Sequence, residues 1–335
     1  MNFEKKIRSL SLLKDEILQI IERDDDIMLK AYRNNNWFAP EFIQYALRSI
    51  ASILEEHKLI KWLARYSTQK TKMKNIGLIM AGNIPMVGFH DLLCVLMSGH
   101  RAEVKLSHND DVLIPYIVFL LQKIDPGFRQ QIKFETQLDK PDAVIATGSD
   151  NTSRYFKYNF RDIRHIIRKN RTSCCILNEN ESTNDFEALS EDIFTYFGLG
   201  CRNVSKIFLP KNYDVNKLVL RLEKFNWIKK YSKYYNNYTY QVSRNLLENK
   251  EFVDGHFYIL SKSKNIVSPI SCIYYEEYED LEMLKDVISL NKNKLQCIVS
   301  KNGWYENSIS FGMAQYPEPW DYADNIDTME FLLNM

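Results

Sequence analysis

Apolar positions along the first third of the chain recur every three to four residues. "MNFEKKIRSLSLLKDEILQIIERDDD" alternates charge with apolar residues at i, i+3 and i+4, and "ALRSIASILEEHKLIKWLARY" does the same, so residues 5–66 read as two or three amphipathic helices. Beyond them the pattern changes to short apolar runs between helical stretches. "NIGLIMAG", "AEVKLS" and "DAVIATGS" read as strands, with helices over 86–98 and 110–124. A second alternation starts near residue 171: "SCCILNEN", "SKIFLP", "SPISCIYYEE" and "LQCIVS" as strands, with helices over 184–197, 213–225 and 279–290. Strands alternating with helices predict parallel sheets of βαβ units, hence an α/β fold. The change near 168–171 predicts a boundary between residues 1–170 and 171–302. The tail 303–335 contains "FGMAQYPEPWDYADNIDTMEFLL", has no clear period, and is expected to pack back on the body as an extended segment.

Composition narrows the class. The chain has 335 residues and a formal charge of +1, enough length for two cores and no basic excess to attract nucleic acid. No uninterrupted apolar run reaches membrane-spanning length, so no membrane span is expected. The six cysteines form no CxxC pair and mostly lie in apolar runs, which argues against a disulfide framework and against a zinc or other metal site. A reducing cytoplasm fits such thiols best. The Lys- and Tyr-rich stretch "FNWIKKYSKYYNNYTYQVSRN" reads as a solvated, irregular surface, with a dock for the adenosine phosphates of a coenzyme as the functional alternative.

Four short stretches carry candidate chemistry. In "GLIMAGNIP", Gly82 and Asn83 supply a turn and Pro85 is placed to start the next helix. "EVKLSHND" puts Lys105 at the end of a strand, where open α/β sheets bind ligands, although such a lysine is often merely exposed. "IATGSDNTSRYF" places Thr147, Gly148 and Ser149 between a strand and a helix N-terminus, which presents N–H groups to an anion. No GxGxxG occurs. In "DIFTYFGLGCRNVSKIFLP", Gly198 and Gly200 break the helical period just before Cys201, so this thiol lies on a turn between two elements. Such a cysteine is either structural or a nucleophile reached from a loop. His90 and Asp91 in "GFHDLL" read as helix residues with a structural histidine, and Cys174 and Cys175 as core.

Taken together and in this order, Asn83 with Pro85, Lys105, Thr147-Gly148-Ser149 and Cys201 resemble the aldehyde dehydrogenase superfamily. "AGNIPMVGFHDLL", "EDIFTYFGLGCRNVSK" and "WDYADNIDTMEFL" resemble more closely the acyl-CoA reductases related to the LuxC subunit of bacterial bioluminescence. The likeness runs from about residue 75 to the end, and this chain is shorter than the luminescence enzymes. The resemblance implies a Rossmann-type cofactor domain plus an α/β catalytic domain, and NADPH-dependent reduction of a fatty acyl-CoA or acyl-protein thioester to the aldehyde. It makes Cys201 the nucleophile and Asn83 the oxyanion amide. It also puts Lys105, Ser107, His108, Thr147, Gly148 and Ser149 at the cofactor. His108 stands where NAD-preferring relatives often carry a glutamate, which tilts the choice to NADPH with NADH as the alternative.

Two departures matter. The water-activating glutamate of the hydrolytic relatives is missing from "IRHIIRKNRTSCC", which favours reduction or thioester exchange over release of a free acid. The glutamate usual before Pro269, a residue the resemblance places on a second cofactor-side strand, is also replaced. An acyl-protein synthetase-type partner and self-association are further expectations. The competing reading is a catalytically silent scaffold subunit of an acyl-transfer complex.

Overall fold

The computed structural model describes residues 3–66 and 72–335, which fall into two compact units: Met1–Asn170 with Pro317–Met335, and Arg171–Tyr316. Residues 303–316 stay with the second unit, and 317–335 return to the first.

The first unit begins with four helices where the pattern predicts two or three: α1 (Phe3–Glu22), α2 (Asp26–Asn34), α3 (Pro40–Ile53) and α4 (Glu56–Leu63). Asp25 caps α2 by accepting from the Ile27 N–H at 3.0 Å, which separates it from α1. Leu10, Leu13, Ile17 and Ile20 form the buried stripe of α1 and join one core with Ile43, Leu47 and Ile50 of α3. That core continues into a parallel sheet made by β1 (Asn75–Ile79), β2 (Arg101–Lys105), β3 (Ile132–Phe134), β4 (Ala143–Thr147) and β5 (Arg164–Arg168). The strand order is β3-β2-β1-β4-β5, with α5 (Phe89–Met97), α6 (Leu113–Ile124) and α7 (Asp150–Asn159) as connections.

The second unit holds a seven-stranded sheet. Its chain runs β6 (Thr172–Ile176), α8 (Thr183–Phe194), β7 (Val204–Pro210), α9 (Asn216–Arg221), α10 (Ser232–Leu247), β8 (Val253–Asp254) and β9 (Ile259–Lys262). It ends with β10 (Cys272–Tyr278), α11 (Leu281–Leu290), β11 (Leu295–Ser300) and β12 (Ile309–Ser310). The order is β12-β11-β6-β7-β10-β9-β8, parallel except for β8 against β9. Both sheets realise the predicted α/β architecture.

Several local expectations change. The helix placed over 86–98 starts only at Phe89, so Pro85 does not open it; the chain first turns through Met86 at φ 61°. The Lys/Tyr-rich stretch is no irregular surface: residues 223–230 form a 3-10 segment and Ser232–Leu247 a regular helix with Tyr234, Tyr238 and Gln241 buried. The tail is not simply extended either, because α12 (Thr328–Leu333) buries Met329 and Leu332. Pro269 lies in a loop, and the strand begins at Cys272. No described helix is long and apolar enough to cross a membrane.

Candidate functional site

In the first unit, chain order and strand order together fix where a ligand can enter. The chain moves outward from β1 to β2 and β3, then jumps back across to β4 and β5, so β1 and β4 flank the point where winding reverses. Ile79 at the end of β1 is in register with Lys105 on one side and with Ala146 on the other. The exits of β1, β2 and β4 are therefore neighbours, and they carry Asn83, Lys105 to His108, and Thr147 to Ser149.

Each exit is shaped locally. A Cβ on Gly82 would sit 2.6 Å from the Ser107 Oγ, so only glycine lets the β1 exit lie against the β2 exit. Lys105, His108 and Asn83 are exposed. The His108 carbonyl accepts from Asn34 Nδ2 at 3.2 Å, and the Ser107 Oγ accepts from the Asn109 N–H at 3.3 Å. The Met86 N–H donates to Asp110 Oδ2 at 2.7 Å, holding the left-handed turn after Asn83. Burial raises the Asp110 carboxyl to about 7, against the pull of the Met86 and Leu113 N–H groups. Gly148 lets β4 run straight into α7, since a Cβ there would meet Thr152 and Phe156 at 3.0 and 3.1 Å. Ser149 caps α7, its Oγ accepting from the Thr152 N–H at 3.3 Å. A lysine at one strand exit and a capped helix N-terminus at another fit an anionic dinucleotide.

His90 and Asp91 form no acid–base pair. The His90 ring lies 6.0 Å from Trp62 and 5.5 Å from Tyr322, with Nε2 at 2.8 Å from the Pro319 carbonyl. Asp91 is ion-paired with the buried Arg168, which also donates to Thr328 Oγ1 at 2.8 Å. Both residues tie the C-terminal tail down within this unit.

In the second unit the candidate thiol sits on a strained turn. A capping box of Ser182 and Asp185 starts α8, which ends at Phe194. Tyr196, Phe197 and Gly198 then follow one another at φ 55°, 57° and 76°. Only the third can adopt that conformation without cost; the two aromatic residues each store about 1 to 2 kcal/mol. Packing holds Phe197: its ring centre lies 5.3 Å from that of Tyr231 and 5.4 Å from that of Tyr234. Asn203 clamps the turn. Its Nδ2 lies within 2.8 Å of the Thr195 carbonyl, 3.1 Å of Asp192 and 3.3 Å of Ile193, while its Oδ1 accepts from the Gly200 N–H at 2.7 Å. Asp192, fully buried, accepts from the N–H groups of Gly312 (2.8 Å) and Ala314 (2.9 Å). Burial raises its carboxyl to about 7.

Cys201 is half-buried on this turn, and the Ser173 Oγ donates to its carbonyl at 3.1 Å. The same Ser173 Oγ lies 3.0 Å from Cys297 Sγ. Burial pushes the Cys297 thiol up to about 11, opposed by the charge of Arg202, which keeps it protonated at neutral pH. Burial also raises Cys94, Cys174, Cys175 and Cys272, with Cys174 and Cys175 in the core as expected. Among the described residues Cys201 and Cys297 are the two half-buried thiols, and of these Cys201 lies on the turn. Sequence reasoning missed Asn203, Asp192 and the two strained aromatics, because nothing in residue type or spacing marks them.

The chain aligns over 92% of its length with 72% of an aldehyde dehydrogenase from Bacillus cereus, solved as an NAD+ complex, at TM-score 0.65 and 15% identity. The aldehyde dehydrogenase KauB from Pseudomonas aeruginosa aligns with 90% of the chain over 72% of its own, at TM-score 0.66 and 11% identity. The fold is that of the aldehyde dehydrogenases. An aldehyde dehydrogenase C mutant from Pseudomonas syringae, complexed with NAD+ and octanal, shares the fold at TM-score 0.64 and 11% identity, over 90% of this chain and 73% of its own. No family model and no curated protein sequence matches the chain.

Proposed function

We propose that the protein reduces a fatty acyl thioester, carried on coenzyme A or on a protein, to the aldehyde, using NADPH and the Cys201 thiolate. The observation that supports this reading is the placing of Cys201: a half-buried thiol in an aldehyde-dehydrogenase fold, just after a left-handed segment that Asn203 clamps. The thiolate attacks the acyl carbon, the new C–S bond to Cys201 replaces the acyl C–S bond to the carrier, and the carrier leaves as a thiolate that takes a proton from solvent. The N–H of Cys201 is assigned as a donor to the oxyanion, and Asn83 takes its proposed role from the resemblance alone; losing one such donor costs about 3 to 4 kcal/mol of transition-state stabilisation. Lys105, Ser107, His108, Thr147, Gly148 and Ser149 are assigned to the cofactor, which supplies hydride. Collapse of the resulting hemithioacetal restores the thiolate and frees the aldehyde.

Palmitoyl-CoA mixed with protein and NADPH tests the reading. Loss of nicotinamide absorbance with aldehyde formation is expected, and Cys201→Ala should abolish it while leaving cofactor affinity nearly intact. Inactivity with every chain length and with both NADPH and NADH would instead identify a silent subunit.

A further inference from the structure

The second unit contains a further cleft over β9 and β10, and β10 borders β7, the strand that follows the Cys201 turn. Parallel pairing sets Ile259 of β9 beside Cys272 of β10, and Ser261 beside Tyr274. Alternation along each strand puts these four side chains on one face of the sheet. α10 covers that face through Tyr238, which clusters with Ile259 and Cys272. Past Tyr238 the helix leaves a cavity of about 430 Å³, within the range of small-molecule sites.

Its lining is divided by chemistry. Ile259, Cys272, Pro269 and the Tyr274 ring supply apolar and aromatic surface. Gln241 is 7% exposed and lines the cavity, and among the described residues nothing hydrogen-bonds its side-chain amide. That amide faces the cavity, where a ligand offering one donor and one acceptor would pair with it. Arg244, Lys250 and Lys262 also line it, together with the carboxylates of Glu248 and Glu251. The present partners of the three cations are partly exposed carboxylates, Glu248 at 2.9 Å from Arg244 and 2.5 Å from Lys250, and Glu277 at 3.1 Å from Lys262. Pairs of that kind contribute little and exchange readily for phosphate.

We propose that this cleft binds the adenosine phosphate portion of a nucleotide, with Gln241 on the adenine edge and Arg244, Lys250 and Lys262 on the phosphates. A glutamine amide pairs bidentately with the adjacent donor and acceptor of adenine. Guanine carries more polar edge atoms, and against Ile259 and Cys272 these would stay unpaired. The inference rests on the geometry of the second unit alone and not on thioester reduction.

Hydrogen exchange and calorimetry on the full chain, with 3′-phosphoadenosine 5′-phosphate, ADP, GDP and inorganic phosphate, test it. Adenine nucleotides should protect amides in 238–250 and 259–274, and Gln241→Leu should weaken their binding by about tenfold or more. Tighter binding of the 3′-phosphorylated form would assign the site to coenzyme A, and equal or tighter binding of ADP to a free nucleotide. Four outcomes would overturn the proposal: no protection there with any adenine nucleotide, protection confined to the 147–156 turn of the first unit, equal binding of GDP or inorganic phosphate, or unchanged affinity in Gln241→Leu.

Discussion

His108 is exposed at the β2 exit, three residues beyond Lys105, and carries no obligatory negative charge. In the proposed function it faces the adenosine ribose. Replacing it with Glu would set a carboxylate against a 2′-phosphate, so His108→Glu should weaken NADPH far more than NADH when both are titrated by fluorescence. Unchanged relative affinities would show that the position does not face the ribose. The second residue-scale prediction concerns Cys201. Residues 164–178 contain no carboxylate, and within that stretch the buried Arg168 is committed to Asp91 and Thr328. Without a general base, whose contribution is typically ~100-fold to ~10,000-fold, water should deacylate the enzyme slowly. Acyl-CoA added without reduced nicotinamide should leave one acyl group on the protein by intact mass, absent in Cys201→Ala and discharged by NADPH or excess coenzyme A. Rapid release of fatty acid would refute this.

At the scale of elements, the turn before Cys201 depends on one side chain. Asn203→Asp keeps the acceptor for the Gly200 N–H but sets an anion against the carbonyls of Asp192, Ile193 and Thr195. Each buried group left without a partner costs about 1 to 3 kcal/mol, so the unfolding free energy from urea titration should fall by that order and Cys201 alkylation by iodoacetamide should change rate. Wild-type values for both would refute the clamp. The same turn shows what the sequence hides. The strand Val204–Pro210 is legible from the apolar run Ile207–Leu209 within it, buried on both faces of the sheet. Tyr196 and Phe197 continue a helical period, and their left-handed backbone goes with contacts far along the chain, such as those of the Phe197 ring with Tyr231 and Tyr234. α10 was hidden for the opposite reason: its buried stripe is Tyr234, Tyr238 and Gln241, correctly spaced for a helix but not aliphatic. β8 and β12, two residues each, exist only as partners of their neighbours. Lys105 and Gly148 were legible as strand exits; that the β1, β2 and β4 exits adjoin one another comes from strand order, which no local pattern encodes.

At the scale of the whole molecule, each unit holds, among the described residues, one buried carboxyl raised to about 7: Asp110 bonded to the Met86 N–H, and Asp192 bonded to those of Gly312 and Ala314. In both cases burial is the main cause. Unfolded, each would titrate near its ordinary value of 3.8, so between about 4 and 7 the folded chain binds more protons than the unfolded one. The stability these groups contribute is complete below the unfolded value and is lost as pH rises through the folded one. Asp125, lowered despite burial by the Gly127 N–H and Lys5, and Asp185, lowered despite burial by Ser182 and Lys301, act in the opposite sense. The total pH profile therefore mixes both signs, and a difference measurement separates them. For Asp192→Asn, the stability of the variant relative to wild type should rise with pH across 4 to 7, by at most roughly 4 kcal/mol for a shift of about three units. Asp110→Asn should show the same slope with its unfolding in the first unit. A difference that is flat with pH, or that falls, would mean that both carboxyls ionise in the folded protein at their ordinary values.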